Sequence, residues 1–153
     1  MKRNRILFVC HGNICRSVMG QYMLQDMVEK RGIADRFIIE SAACRNDELG
    51  SPIYPPARKK LQSVGVPIGT HRARKIRKDD ASQWDLIVGM DDENMRDMKR
   101  LFGPNPPADV VMAMHLVGED REVADPWYTG NFQATYDDLS RVCTALLERY
   151  EQQ

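Results

Sequence analysis

A thiol, a guanidinium and a hydroxyl lie close together near the amino terminus, within the stretch Cys10, His11, Gly12, Asn13, Ile14, Cys15, Arg16, Ser17. A cysteine thiolate is a strong nucleophile, and an arginine fork matches two oxygens of a phosphate, so these residue types suggest attack by sulfur on phosphorus. The backbone N–H groups of the intervening residues, with the positive end of a following helix, would face the same oxyanion. Each of these donors also favours thiolate over thiol at Cys10. Ser17 is placed to donate a hydrogen bond to the sulfur. Gly12 and Asn13 are residue types that accept the left-handed backbone angles needed to curl such a loop. A buried cysteine at a strand end is otherwise an inert small hydrophobe, so the motif needs a partner elsewhere in the chain.

That partner is expected at Asp125. Pro126 biases the preceding backbone toward an extended form and stiffens the presentation of the carboxyl group. Trp127 and Tyr128 follow at once, and two adjacent aromatics on a loop are costly to expose unless they pack or bind something. They are expected to wall a slot for a flat ring, with Asp125 as the acid for its leaving oxygen.

The elements that must hold these groups follow from the apolar pattern. Ile6 to Val9 reads as a buried strand entering the Cys10 turn, and Met19, Tyr22, Met23 and Met27 recur at helical spacing until Gly32. Phe37 to Ile39 reads as a second strand ending at Glu40-Ser41, and Ala57 to Val64 as a short helix after a loop rich in Gly and Pro. Asp85 to Val88 reads as a third strand, and Met90 to Asn94 as a helix start with an acidic cap. Val110 to Met114 is expected to be a fourth strand, followed by a polar loop over 115–124. A long final helix carries Leu139, Val142, Cys143, Leu146, Leu147 and Tyr150 on its inner face, with Thr135, Asp137 and Asp138 as cap or first-turn candidates. Strands alternating with helices predict an α/β fold, an open four-stranded parallel sheet with helices on both faces. Ligands bind such sheets at the strands' carboxyl ends, where Cys10, Ser41, Met90 and the 115–131 segment should gather.

Cys, five intervening residues, Arg and Ser on a strand–loop–helix turn is the signature of cysteine-dependent phosphatases, and its place at residue 10 resembles the low-molecular-weight protein tyrosine phosphatases. Ser41-Ala42, the trio His71, Ala73, Arg74, the run Asp85 to Val88 before Met90-Asp91, and Asp125-Pro126 with two aromatics recur in the same order in that family. The resemblance spans nearly the whole chain. It implies a flavodoxin-like sheet of the phosphotyrosine phosphatase I type and metal-independent hydrolysis of phosphotyrosine through a phosphocysteine. Cys10, Arg16 and Asp125 would be catalytic, and residues 11–17 would bind phosphate. The resemblance further implies that Ser41 hydrogen-bonds Asn13 and that His71 supports the loop. Cys15 is expected to protect Cys10 from over-oxidation by pairing with it. Residues 43–48 depart from the family pattern, which leaves one wall of the entrance open. Arsenate reductases of the same fold use a further cysteine pair, absent between residues 45 and 142. Phosphoarginine phosphatases of the family tend to carry Thr where this chain has Ile14. A phosphopeptide-binding module without turnover would need neither thiolate nor acid, and a flavodoxin-like mononucleotide binder would carry flavin absorbance.

Composition narrows the remaining classes. The 153 residues carry 22 basic and 22 acidic side chains, so no global charge draws the chain to nucleic acid or anionic membrane. The length suits one domain over 1–153. The basic segment His71 to Lys78 lacks interleaved aromatics and is expected to be a solvated surface rather than a nucleic-acid patch. Four cysteines at 10, 15, 44 and 143 show no metal spacing and are too sparse for a disulfide scaffold. No apolar run reaches the length of a signal-peptide core or a membrane span. The expected setting is a reducing cytoplasm and a monomer or weak dimer. The expected partner is a phosphotyrosine-containing protein or peptide with inorganic phosphate as product, and neither cofactor nor metal is called for.

Overall fold

The computed structural model describes residues 2–151. Four parallel strands, β1 (Asn4–Cys10), β2 (Phe37–Ala43), β3 (Leu86–Gly89) and β4 (Asp109–Met112), pair in the order β2-β1-β3-β4. β1 is therefore central, and the strand order reverses at it. Ligands in open parallel sheets bind beyond the carboxyl ends at such a reversal, and β1 ends on Cys10.

The helices are α1 (Arg16–Lys30), α2 (Pro55–Ser63), α3 (Asp80–Gln83), α4 (Asp92–Phe102), α5 (Pro126–Thr129) and α6 (Phe132–Glu151). β1 explains the layering. Ile6, Phe8 and Cys10 face one apolar cluster with Val18, Met19, Leu24, Leu139 and Leu146 of α1 and α6. Leu7 and Val9 face another with Ile87, Trp84 and Met98 of α4. Side chains alternate along a strand, so a strand covered on both sides reads as an unbroken apolar run. Gly20 lets α1 settle on β1: a β-carbon there would meet the Phe8 ring at 3.0 Å.

Several boundaries differ from the sequence expectation, each for a reason outside the local pattern. β2 runs on through Ser41 to Ala43 because Ala43 pairs with Cys10 in register. It also takes an N–H bond to the Arg74 carbonyl at 2.7 Å and accepts one from Ile76 N–H at 2.8 Å. That pairing corrects the reading of 71–78 as a merely solvated surface. Its backbone lies along β2 with Ala73 and Ile76 buried, while Arg74 pairs with the buried Asp80 at 3.1 Å. α6 starts at Phe132, and its cap is Asn131, whose side chain accepts from Ala134 N–H at 3.0 Å. Thr135, Asp137 and Asp138 lie inside the helix. β4 stops at Met112, and residues Ala113–Val117 form a 3-10 helix where the end of the strand (113–114) and the start of a polar loop (115–117) were expected.

Candidate active site

The Cys10–Ser17 loop joins the end of β1 to the start of α1. Asn13 takes a left-handed φ of 61° and ties the curl from both ends of its side chain. Its amide donates to Ser17 Oγ at 2.8 Å, and its carbonyl oxygen accepts the Arg74 N–H at 3.2 Å. The backbone carbonyl of Asn13 accepts from His71 Nε2–H at 2.7 Å, which ties His71 to the loop. Burial holds the His71 ionisation below its ordinary value against the pull of that carbonyl, with Arg72 acting in the same direction as burial.

Ser41 does not make the expected contact. Its hydroxyl donates to Gln21 Oε1 at 2.5 Å, and the Asn13 side chain is satisfied by Ser17 and Arg74. Ser41 lies within β2 rather than past its end, and Gln21 of α1 is the acceptor within its reach.

Cys10 lies 3.0 Å from Ser17 Oγ and accepts the Ser17 N–H at 3.4 Å. Arg16, the first residue of α1, is almost fully buried. It donates through one nitrogen to Asp91 at 2.8 Å and to the Val123 carbonyl at 2.9 Å, and through the other to Asp125 Oδ2 at 3.4 Å. Burial alone would disfavour the guanidinium, but the negative charges of Cys10, Asp125 and Asp91 outweigh it and raise its ionisation. Asp125 in turn caps α5, its Oδ1 accepting Trp127 N–H at 3.1 Å. The Asp-Pro pair thus opens one turn of helix, where only a stiff loop was expected. Pro is well suited to that first position.

Cys10, His11, Gly12, Ile14, Cys15 and Arg16 line one cleft with Asp125, Trp127 and Tyr128; Asp47 and Glu48 complete it. It encloses about 160 Å³, below the roughly 300–1,000 Å³ of drug-sized sites. Trp127 and Tyr128, which line it, are 50% and 83% exposed. Trp127 is steadied from behind by Tyr54, ring centroids 4.7 Å apart. Cys15 is a buried free thiol whose ionisation burial and the neighbouring Cys10 push well up. Cys143 is fully buried and pushed up to about 12 by burial, which fits a packing role.

Sequence reasoning missed several contributors. Asp91 was legible as a helix cap, and it is one: it accepts Asn94 N–H at 2.8 Å, and Asn94 returns the bond in a capping box. That the same carboxylate grips Arg16 has no local signature. Gln21, Arg74 and Tyr54 are also tertiary partners. Among the described residues no group of three His, Cys, Asp or Glu side chains converges as a metal set. No helix of the described residues is long and apolar enough to cross a membrane.

Comparison with known proteins identifies the family. The family model described as low molecular weight phosphotyrosine protein phosphatase matches residues 5–153. The low molecular weight phosphotyrosine protein phosphatase 1 of Drosophila melanogaster is 33% identical over 149 residues, covering 94% of this chain and 95% of the relative. The crystal structure of YfkJ from Bacillus subtilis superposes with a TM-score of 0.95 at 27% identity, covering 99% of this chain and 97% of that one. The Drosophila arginine phosphatase DARP superposes at 0.85 and 28% identity, covering 98% of each chain. With the match running from β1 through α6, the chain belongs to the low molecular weight phosphotyrosine protein phosphatase family.

Proposed function

We propose that the chain acts as one domain to hydrolyse phosphotyrosine in proteins or peptides through a phosphocysteine. Cys10 Sγ attacks phosphorus in line as the bond to the aryl oxygen breaks, and the proton of Asp125 passes to the departing phenolate. Water then attacks phosphorus, its proton goes to the Asp125 carboxylate, the P–S bond breaks, and inorganic phosphate and the Cys10 thiolate are released. Arg16 and the N–H groups of residues 11–17 hold the equatorial oxygens of a loose transition state. The observation that carries this reading is that Asp125, from the far end of the chain, meets Arg16 at 3.4 Å inside the cleft that Cys10 lines.

The test is turnover of p-nitrophenyl phosphate and a phosphotyrosine peptide by the wild-type protein, Cys10→Ser and Asp125→Ala. Cys10→Ser is expected to lose on the order of 10⁴-fold or more in kcat; full turnover by that variant overturns the reading. The rate profile is expected to be a bell, since Cys10 must be ionised while Asp125 keeps its proton, and turnover is expected to be unchanged by EDTA. Phosphoarginine serves as the comparison substrate. The apolar Ile14 in the loop favours the aromatic ester, so the phosphotyrosine peptide is expected to turn over faster. The four free thiols suit a reducing compartment such as the cytoplasm.

A further inference from the structure

His11 directly follows the nucleophile, and its side chain points along the rim of the cleft rather than into the core. Its Nδ1 lies 2.9 Å from Glu93 Oε1 and its Nε2 2.6 Å from Asp47 Oδ2. Neutral imidazole has one N–H and can donate to one carboxylate only; both contacts are donations only when the ring carries two protons. Glu93 belongs to the first turn of α4, the helix whose cap Asp91 holds Arg16. Asp47 belongs to the segment after β2.

That segment is already joined to the loop by backbone. Cys44 N–H donates to the Cys10 carbonyl at 2.9 Å, and Arg45 N–H to the His11 carbonyl at 3.0 Å. Between Arg45 and Tyr54, whose N–H donates to the Ile14 carbonyl at 3.0 Å, the His11 side chain carries the connection on to Asp47. The next residue, Glu48, lies over Gly12: a β-carbon there would meet its side chain at 3.5 Å. Asp47 and Glu48 both line the cleft; Glu48 is held by Ser51, whose N–H and hydroxyl both donate to it at 2.9 Å, and Asp47 is held by His11.

The geometry points to His11 as a positioning residue for substrate, a strap that, when doubly protonated, holds the 44–50 wall and the start of α4 against the Cys10–Ser17 loop. This inference rests on the proposed phosphatase reading and adds to it a determinant of substrate affinity. The charged groups facing the strap are Asp47 from the segment after β2 and Glu93 from α4. Arg45 lies beside Asp47 and Glu93 and is itself held by Asp97 of α4 at 2.8 Å. Burial disfavours the imidazolium, but hydrogen bonds and charge from Asp47 and Glu93 outweigh it, and the ionisation of His11 lies above 6.5. Loss of its proton frees one carboxylate from the strap and leaves uncompensated negative charge where a phosphate dianion enters. KM therefore rises as pH increases through the ionisation of His11. The value of kcat does not follow it, because neither Asp47 nor Glu93 bonds Cys10, Arg16 or Asp125.

The experiment combines NMR titration of the His11 Cε1–H resonance with KM and kcat for a phosphotyrosine peptide across about pH 5 to 9, in wild type and Glu93→Gln. The chain has three histidines, so a His11→Gln spectrum assigns the signal. The expected result is a His11 ionisation above 6.5 that moves down in Glu93→Gln. An alkaline rise of about two- to fivefold in KM, the range of one partly exposed ion pair, moves down with it, while kcat of Glu93→Gln stays within about twofold of wild type. A His11 signal unmoved by Glu93→Gln overturns the strap, and a KM that ignores the measured ionisation overturns its role in substrate affinity. Absence of any wild-type turnover overturns the phosphatase reading instead, while the NMR arm still decides whether the strap exists.

Discussion

Asn13 is the one non-glycine residue with positive φ among the described residues, and three bonds converge on it from Ser17, Arg74 and His71. Alanine at this position would lose the side-chain bonds, leave the Arg74 N–H unpaired and bear the left-handed backbone without a local compensation. Urea unfolding of Asn13→Ala is expected to show a loss of about 2–4 kcal/mol, with Asn13→Gly about 1 kcal/mol less damaging because glycine adopts that φ freely. Asp125 invites a different measurement. If it protonates the leaving oxygen, Asp125→Asn should lower kcat on the order of 10²–10⁴-fold for aryl phosphates with basic leaving groups and far less for p-nitrophenyl phosphate. A uniform loss across leaving groups would assign Asp125 to orientation of Arg16. Both residues were legible in the sequence because their requirements are local, a left-handed turn and a residue stiffened by proline. The partner of Ser41 was not, since hydroxyls bond whatever acceptor packing supplies, and Gln21 on α1 supplies it.

At the scale of elements, the start of α4 serves two ends with one carboxylate. Asp91 Oδ1 caps the helix and Oδ2 receives Arg16. The substitution Asp91→Asn keeps a good cap but loses the charged acceptor, so its thermal stability should stay near wild type while kcat/KM falls about ten- to a hundredfold through a loosened guanidinium. Asp91→Ala should add a loss of about 1 kcal/mol in stability from the missing cap. Equal unfolding midpoints for the two variants would show that the cap contributes nothing. The cap was legible in the spacing of Asp91 and Asn94. The extension of β2 to Ala43 was not, because it depends on pairing with Cys10 of β1 and on the backbone around Lys75 lying alongside, contacts between segments far apart in sequence. α5 escaped notice for the opposite reason: four residues are too few for any periodicity to register.

For the whole molecule, buried His71 links acid stability to the site. Its folded-state ionisation is held below 6.5 by burial, with the Asn13 carbonyl opposing and Arg72 assisting. The unfolded chain therefore binds more protons between that lowered value and 6.5. The stabilisation from neutral His71 is complete above this window and is lost as pH falls through it. Thermal unfolding of wild type and His71→Gln should show a stability difference that shrinks on acidification through that range; a constant difference would remove His71 from the acid response. The sheet order has a further consequence. Cys10 ends the central strand, covered on both faces and paired on both edges, whereas Asp125 follows β4, an edge strand paired only with β3. Partial openings begin where pairing is thinnest, so amide hydrogens of β4 should exchange before those of β1. A molecule caught in such an opening would keep the Cys10 sulfur caged while Asp125, the proposed proton donor, drifts. It would still accept a phosphoryl group from a good leaving group, yet be slow to hand it on to water.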